Sequence, residues 1–130
     1  DHRRPDEVSF ARSITEDLSR RDFTINAMAY HPKKDLIDPF GGSDDLVNGL
    51  LKAVGDPAKR FEEDPLRILR GLRFISRFGL QVEEKTDRAM RHHSDLLFYI
   101  SAERIFSELK QILMGPAIEQ VLLAYPEVFS

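Results

Sequence analysis

The chain has 130 residues, enough for one domain or two small ones, and its 19 basic and 22 acidic side chains leave a net charge of −3. Hydrophobic residues at 42% exclude a disordered chain, and the absence of cysteine excludes disulfides and Cys-based zinc sites. No apolar run approaches the roughly 18 residues of a membrane span, and no stretch reads as a secretory signal, so the cytoplasm is the expected compartment. The first residue is Asp1 rather than Met, and the sequence reads as an internal piece of a longer protein. Charge is unevenly spread. Residues 67–91 hold seven basic residues against three acidic ones, a field suited to an anionic ligand, or else a solvated helix face.

In chain order, residues 8–13 predict a strand, and the spacing of Leu18, Phe23 and Ala27 predicts a helix over about 18–27. Short strands are expected at 28–30 and 36–38, with His31-Pro32-Lys33-Lys34-Asp35 as the hairpin loop between them. Ser43 is placed to cap a short helix through Leu46, and 51–54 reads as one more strand. Asp56-Pro57 then gives an N-cap followed by a first helical residue, and Asp64-Pro65 repeats that signal. Over 65–78, Ile68, Leu69, Leu72 and Ile75 fall in one sector, with Arg67, Arg70, Arg73 and Arg77 on the opposite side. Gly79 reads as the stop. Further helices are predicted at about 83–92, 102–114 and 117–124. The texture changes near residue 56, from turn-rich to helical.

Three stretches carry chemistry. Asp64 and Arg67 lie three apart at a helix start, where both side chains can converge on one ligand edge. A carboxylate only accepts hydrogen bonds and a guanidinium only donates them. Cytosine and adenine each present an amino donor beside a ring-nitrogen acceptor, whereas guanine and uracil present a carbonyl beside a ring N–H. An Asp/Arg pair therefore matches C and A, and each mismatch against G or U costs about 1–3 kcal/mol. The plainer reading makes Asp64 an N-cap and Arg67 the i,i+4 partner of Glu63. Arg70 and Arg73 extend the row with bidentate cations suited to a triphosphate or an RNA backbone. With no acidic residue between 65 and 78, these like charges require an anion or an acidic neighbour.

In the second stretch, Arg21 can meet an anion, while Asp22 and Asn26, four apart, can share a hydroxyl such as a ribose 2′-OH; helix capping is the alternative. The third, Asp38-Pro39-Phe40-Gly41-Gly42 with Asp44-Asp45, reads as a structural turn. His92-His93-Ser94-Asp95 invites a metal-dependent phosphohydrolase reading, but adjacent histidines on a helix do not face each other, and no metal site is expected.

The order and spacing of these pieces resemble the class II tRNA nucleotidyltransferase and bacterial poly(A) polymerase family, from about Asp1 to Leu113. Residues 20–27 (Arg-Arg-Asp-Phe-Thr-Ile-Asn-Ala) are similar to its motif B, and Asp38 to Gly42 with Asp45, Leu46 and Gly49 to motif C. Glu63-Asp64-Pro65-Leu66-Arg67 is similar to motif D, and Glu103-Arg104-Ile105 with Glu108-Leu109 to motif E. The resemblance implies an α+β fold. Residues 1–56 would be the C-terminal part of a nucleotidyltransferase head, a few short strands plus helix, and 57–130 an all-α neck that recognises the base. It also implies a nucleotide pocket of Arg21, Asp22 (near the ribose) and Asn26, base reading by Asp64 and Arg67, completion of the ATP/CTP site by Arg70 and Arg73, and structural support from Glu63, Glu103 and Arg104.

The implied reaction is template-independent addition of C and A to tRNA 3′ ends, the 3′-hydroxyl displacing pyrophosphate from CTP or ATP. Poly(A) synthesis on other RNA 3′ ends is the alternative within the family, and a non-catalytic helical RNA-binding module is the alternative outside it. Nothing here matches motif A, a Gly-Ser turn with a D-x-D pair whose carboxylates would hold Mg²⁺. Catalytic residues are therefore expected upstream, and the chain by itself is expected to be inactive. Self-association through an exposed sheet edge is a further expectation.

Overall fold

The computed structural model describes residues 5–33 and 35–129, with side chains from residue 12 onward. Lys34, which belongs to the predicted hairpin loop, and Asp1 to Arg4, where the resemblance begins, lie outside the described residues. Helix α1 (Pro5–Ser19) is followed by a 3-10 turn (Thr24–Asn26) and an antiparallel hairpin of β1 (Ala29–His31) and β2 (Asp35–Ile37). Then come α2 (Gly42–Val47), β3 (Leu50–Leu51), α3 (Pro57–Glu63), α4 (Leu66–Phe78), β4 (Gln81–Val82) and α5 (Glu84–His92). A 3-10 helix (Ser94–Tyr99), α6 (Ala102–Leu113), α7 (Ile118–Ala124) and a last 3-10 turn (Pro126–Val128) complete the order. The expected α+β class, few short strands and mostly helix, is what the chain adopts.

Two early expectations are corrected. The backbone over 8–13 belongs to α1 rather than to a strand; Pro5 at the first helical position already marks a helix start. The helix predicted over 18–27 stops at Ser19. Asp22 Oδ1 and Asn26 Oδ1 both accept from the Phe23 amide (3.0 and 3.2 Å), and such local side-chain bonds compete with helix propagation. The segment instead pairs with 52–54: Thr24 N–H donates to Lys52 O (2.9 Å), Val54 N–H donates to Asp22 O (3.0 Å), and Phe23 bridges Ala53. Leu18, Phe23 and Ala27 are still buried, but in two clusters. Phe23 enters the main core, while Leu18 and Ala27 pack with Val54.

The cap of α2 is also reassigned. Asp38, not Ser43, closes the turn: it accepts from Gly42 N (2.7 Å), Ser43 N (3.0 Å) and Ser43 Oγ (2.8 Å). The strand predicted at 51–54 is real over its first residue and pairs in parallel with β4, which the sequence reading did not foresee. The caps at Asp56 and Gly79 form as expected, Gly79 in the left-handed region with φ 67°.

Helix α4 is the centre. Its buried side (Ile68, Leu69, Leu72, Ile75) packs against α6 and α7, and Phe23, Leu51 and Met90 close over Gly71. A Cβ at Gly71 would stand 2.9 Å from Phe23 Cζ, so the absence of a side chain there sets how closely the 23–51 region approaches α4. One hydrophobic core therefore takes residues from both sides of position 56.

Candidate nucleotide-binding site

The arginines predicted on one sector of α4 do lie opposite its buried side, and each of the first three is held by a carboxylate. Arg67 Nη1 donates to Glu63 Oε1 (2.9 Å) and to Arg60 O (3.0 Å). Arg70 Nε donates to Asp22 Oδ2. Arg73 Nη1 lies 3.1 Å from Glu108 Oε1 and 3.3 Å from Oε2. The compensation for three of the four like charges thus comes from three separate parts of the chain.

Asp22 is the most constrained of these acids. It is buried, and besides Arg70 it accepts from Phe23 N (3.0 Å) and from Asn26 Nδ2 (2.7 Å). Asp22 and Asn26 bond to each other rather than standing side by side on a helix. For Arg70, burial works against the charge, and the hydrogen bond and charge of Asp22 more than offset it, so the guanidinium pKa is raised.

The turn into α4 is braced at both Asp64 and Arg67. Asp64 Oδ1 accepts from Leu66 N (3.2 Å), the capping role expected of it, and Oδ2 accepts from Arg104 Nη2 (3.0 Å). Asp64 and Arg67 therefore do not neutralise each other. The Glu63 carboxyl is held below its usual range, first by the Arg67 hydrogen bond. Of the two support residues expected on α6, Arg104 reaches this turn. Glu103 stands exposed in the first turn of α6, and its side chain bonds to none of the described residues.

These side chains form a pocket of about 250 Å³ lined by Arg21, Asp22, Asp64, Arg67, Arg70 and Arg104, together with Arg20 and Leu66. Arg73 does not line it. At 100° per residue, two steps of three carry Arg73 about 120° round from Arg67, to where α6 offers Glu108. Asn26 stands behind Asp22 and Glu63 behind Arg67. The sequence reading gave no role to three participants. Arg20 sits beside Arg21 in the pocket lining. Arg60 fastens α3 by donating to Val54 O (2.9 Å) and Ser19 O. Glu108 is buried, and its Oε1 makes the Arg73 ion pair without hydrogen-bond geometry. Glu108 falls within the resemblance to motif E, but without a role of its own.

The described residues contain no group of three or more His, Asp or Glu side chains placed to hold a metal ion. Asp45 is engaged by Thr24 Oγ1 (2.5 Å), and His93 by Glu62 (3.3 Å) and Ala89 O (2.9 Å). No helix among the described residues is long and apolar enough to cross a membrane.

A family model described as "Poly A polymerase head domain" matches residues 1–52, and one described as "Probable RNA and SrmB- binding site of polymerase A" matches residues 79–124. The CCA-adding enzyme of Streptococcus mutans is 53% identical over 116 residues, 89% of this chain and 29% of that protein. The CCA-adding enzyme of Anoxybacillus flavithermus is 45% identical over 122 residues, 94% of this chain and 31% of that protein. Among solved structures, the Bacillus stearothermophilus CCA-adding enzyme in complex with CTP matches with a TM-score of 0.84 at 39% identity, covering 88% of this chain and 29% of that one. The Thermotoga maritima CCA-adding enzyme complexed with tRNA matches at 0.79 and 37% identity, covering 89% and 29%. The chain spans about three-tenths of the length of the curated relatives it matches. Motifs in order, a shared fold and this identity over most of its length lead to one conclusion: the chain belongs to the class II CCA-adding enzyme and bacterial poly(A) polymerase family of nucleotidyltransferases.

Proposed function

We infer that this chain is the nucleotide-recognition part of an enzyme that adds C and A to tRNA 3′ ends, taking CTP and ATP as substrates. The observation that carries this reading is the pocket in which Asp64 and Arg67 stand together, each held from behind by another side chain, beside Arg21 and Arg70. Each Asp64 oxygen keeps a further lone pair for an exocyclic amino group. Arg67 keeps its Nε and Nη2 donors, which have no partner among the described residues, for a ring nitrogen. Fixing both groups in advance lowers the ordering cost of binding. Arg21 and Arg70 offer cations to the triphosphate. Asp22 and Asn26 contribute by fixing Arg70 and the turn, and Arg73 contributes through its pairing with α6.

Relatives whose structures are described with CTP, with ATP and with tRNA support the substrate classes, and curated relatives at 45–53% identity favour CCA addition over poly(A) synthesis. The head and neck division near residue 56 draws support from the two separate model matches. Mg²⁺ belongs to the proposed reaction, with ligands outside these 130 residues, since the sequence contains no Asp-x-Asp. The chain alone is accordingly expected to bind nucleotides without transferring them. The cytoplasm remains the proposed compartment. Exposed Tyr30 and Leu36 on a two-stranded hairpin support self-association, which light scattering would detect.

The test is a titration of CTP, ATP, GTP and UTP at fixed salt against the chain, Asp64→Ala and Arg67→Ala. Preference for CTP and ATP by about tenfold or more, lost in both variants, is expected. Equal binding of all four, unchanged by Asp64→Ala, would reduce the pocket to a phosphate trap and overturn base reading.

A further inference from the structure

A second and larger pocket, about 700 Å³, opens between the start of α3 and the outer side of α5. Pro57, Ala58 and Ala89 give it an apolar floor, and Lys85, Arg88 and Arg91 stand along it at steps of three on α5. His92 and Asp56 complete the lining. The three cations are not equally available. Arg91 is committed: it pairs with Asp87 (3.1 Å) and Glu127 (2.8 Å), and its guanidinium lies 4.3 Å over the Tyr125 ring. Arg88 is tied only to Glu84, a pair in which both side chains are exposed, and such pairs contribute about 0–1 kcal/mol. Lys85 has no ion-pair partner among the described residues.

An apolar floor with two cations free to be redirected fits a nucleotide unit of a polynucleotide, its sugar and base over the alanines and proline and its phosphate at Lys85 and Arg88. The position agrees. α3 touches both pockets, since its start lines this one and Glu63 at its end holds Arg67 in the nucleotide site. Seven residues of helix separate the two by on the order of 10 Å. α5 also lies within the segment matched by the RNA-binding family model.

We propose that the α3–α5 pocket is a contact for the RNA backbone, made by Lys85 and Arg88 over the Pro57–Ala58–Ala89 floor. It rests on the reading that the bound partner is an RNA 3′ end, and it assigns to a second site the task of holding the strand while the first selects the incoming nucleotide.

The experiment is fluorescence anisotropy with a labelled RNA hairpin carrying an unpaired 3′ strand, titrated across a salt series. The chain is compared with the double variant Lys85→Ala/Arg88→Ala and with Lys110→Ala, which removes a cation from α6, outside both pockets. The double variant is expected to bind RNA at least about fivefold more weakly, with the salt slope reduced by about one to two, while the CTP-over-GTP ratio stays at the parental value. Lys110→Ala should bind as the parent does. No RNA binding by the parent at low salt, an unchanged affinity and slope in the double variant, or an equal loss in Lys110→Ala would overturn the assignment. So would displacement of the RNA by an oligoglutamate peptide at matched charge, which would make this a surface for acidic protein segments. Absence of nucleotide selectivity in the parent counts against the base-reading site alone.

Discussion

Helices α4 and α5 both carry arginines at steps of three, yet the two rows are different objects. On α4 the side chains of Arg67, Arg70 and Arg73 are 21%, 35% and 27% exposed, and their partners come from the preceding turn, from residue 22 and from residue 108. On α5, Arg88 is 70% exposed and, among the described residues, pairs only with Glu84 of the same helix, while Arg91, 40% exposed, pairs with Asp87 and also with Glu127. Arg70 and Arg73 are each held in one orientation by a distant, buried acid, and Arg67 by Glu63 together with the Arg60 carbonyl, so this row can present a fixed edge to a ligand. A cation held only by an exposed acid of its own helix, as Arg88 is by Glu84, keeps most of its freedom and can only offer charge. The first arrangement suits selection of a base, the second attachment of a flexible strand.

The largest expected effect tests the α4 side of this contrast. Asp22→Ala should destabilise the chain by about 2–3 kcal/mol in urea unfolding, because Asn26 and the Phe23 amide lose a buried partner along with Arg70. The figure is set at the low end because Arg70 is about one-third exposed. A loss below about 1 kcal/mol would mean that the α4 row is no better fixed than the α5 row.

A smaller effect concerns how α5 is seated. Glu83 accepts from Thr86 N (3.0 Å) and Thr86 Oγ1 (2.7 Å), and Thr86 Oγ1 accepts from Ala53 N (3.0 Å), so one cap fastens α5 to the β3 segment. Burial pushes the Glu83 pKa up, and the Thr86 hydrogen bonds more than reverse this, leaving it below its ordinary 4.5. A depressed folded-state pKa contributes stability that is fully present above 4.5 and lost as the pH falls through the lowered value. Glu83→Gln, which keeps an acceptor oxygen, should therefore flatten the acid limb of a melting-temperature series from pH 7 to about pH 3. An unchanged acid limb would show that the cap titrates as it does in the unfolded chain.

The smallest effect is expected for Glu84→Ala. Removing the exposed partner of Arg88 should change stability by no more than about 0.5 kcal/mol in the same urea assay, while RNA affinity holds or rises as Arg88 is released. A loss comparable to that of Asp22→Ala would erase the distinction between the rows.

Much of the helical half was legible in the sequence because its signals are local. Asp56-Pro57 starts α3, Gly79 ends α4, and the 3.6-residue period of Ile68, Leu69, Leu72 and Ile75 names the buried side. The first half was read less well. Residues 18–27 carry a helical period, but Asp22 and Asn26 spend their side chains on the Phe23 amide, and the segment gains hydrogen bonds from residues 52–54 instead. β4 escaped notice for a related reason: two residues have no period, and their pairing with β3 depends on a partner 31 positions away.

The site divides along the same line. The sequence by itself determined the chemistry on offer: a carboxylate and a guanidinium three apart at a helix start, a row of arginines behind them, and no third acid or histidine in register for a metal. Only the tertiary structure decided which of those groups are fixed and which are free. It gave Arg70 to Asp22, Arg73 to Glu108 and Asp64 to Arg104, contacts that span 48, 35 and 40 positions. Helix geometry sets neighbours at three and four residues, and no local rule chooses the acid that folding brings to an arginine from elsewhere in the chain.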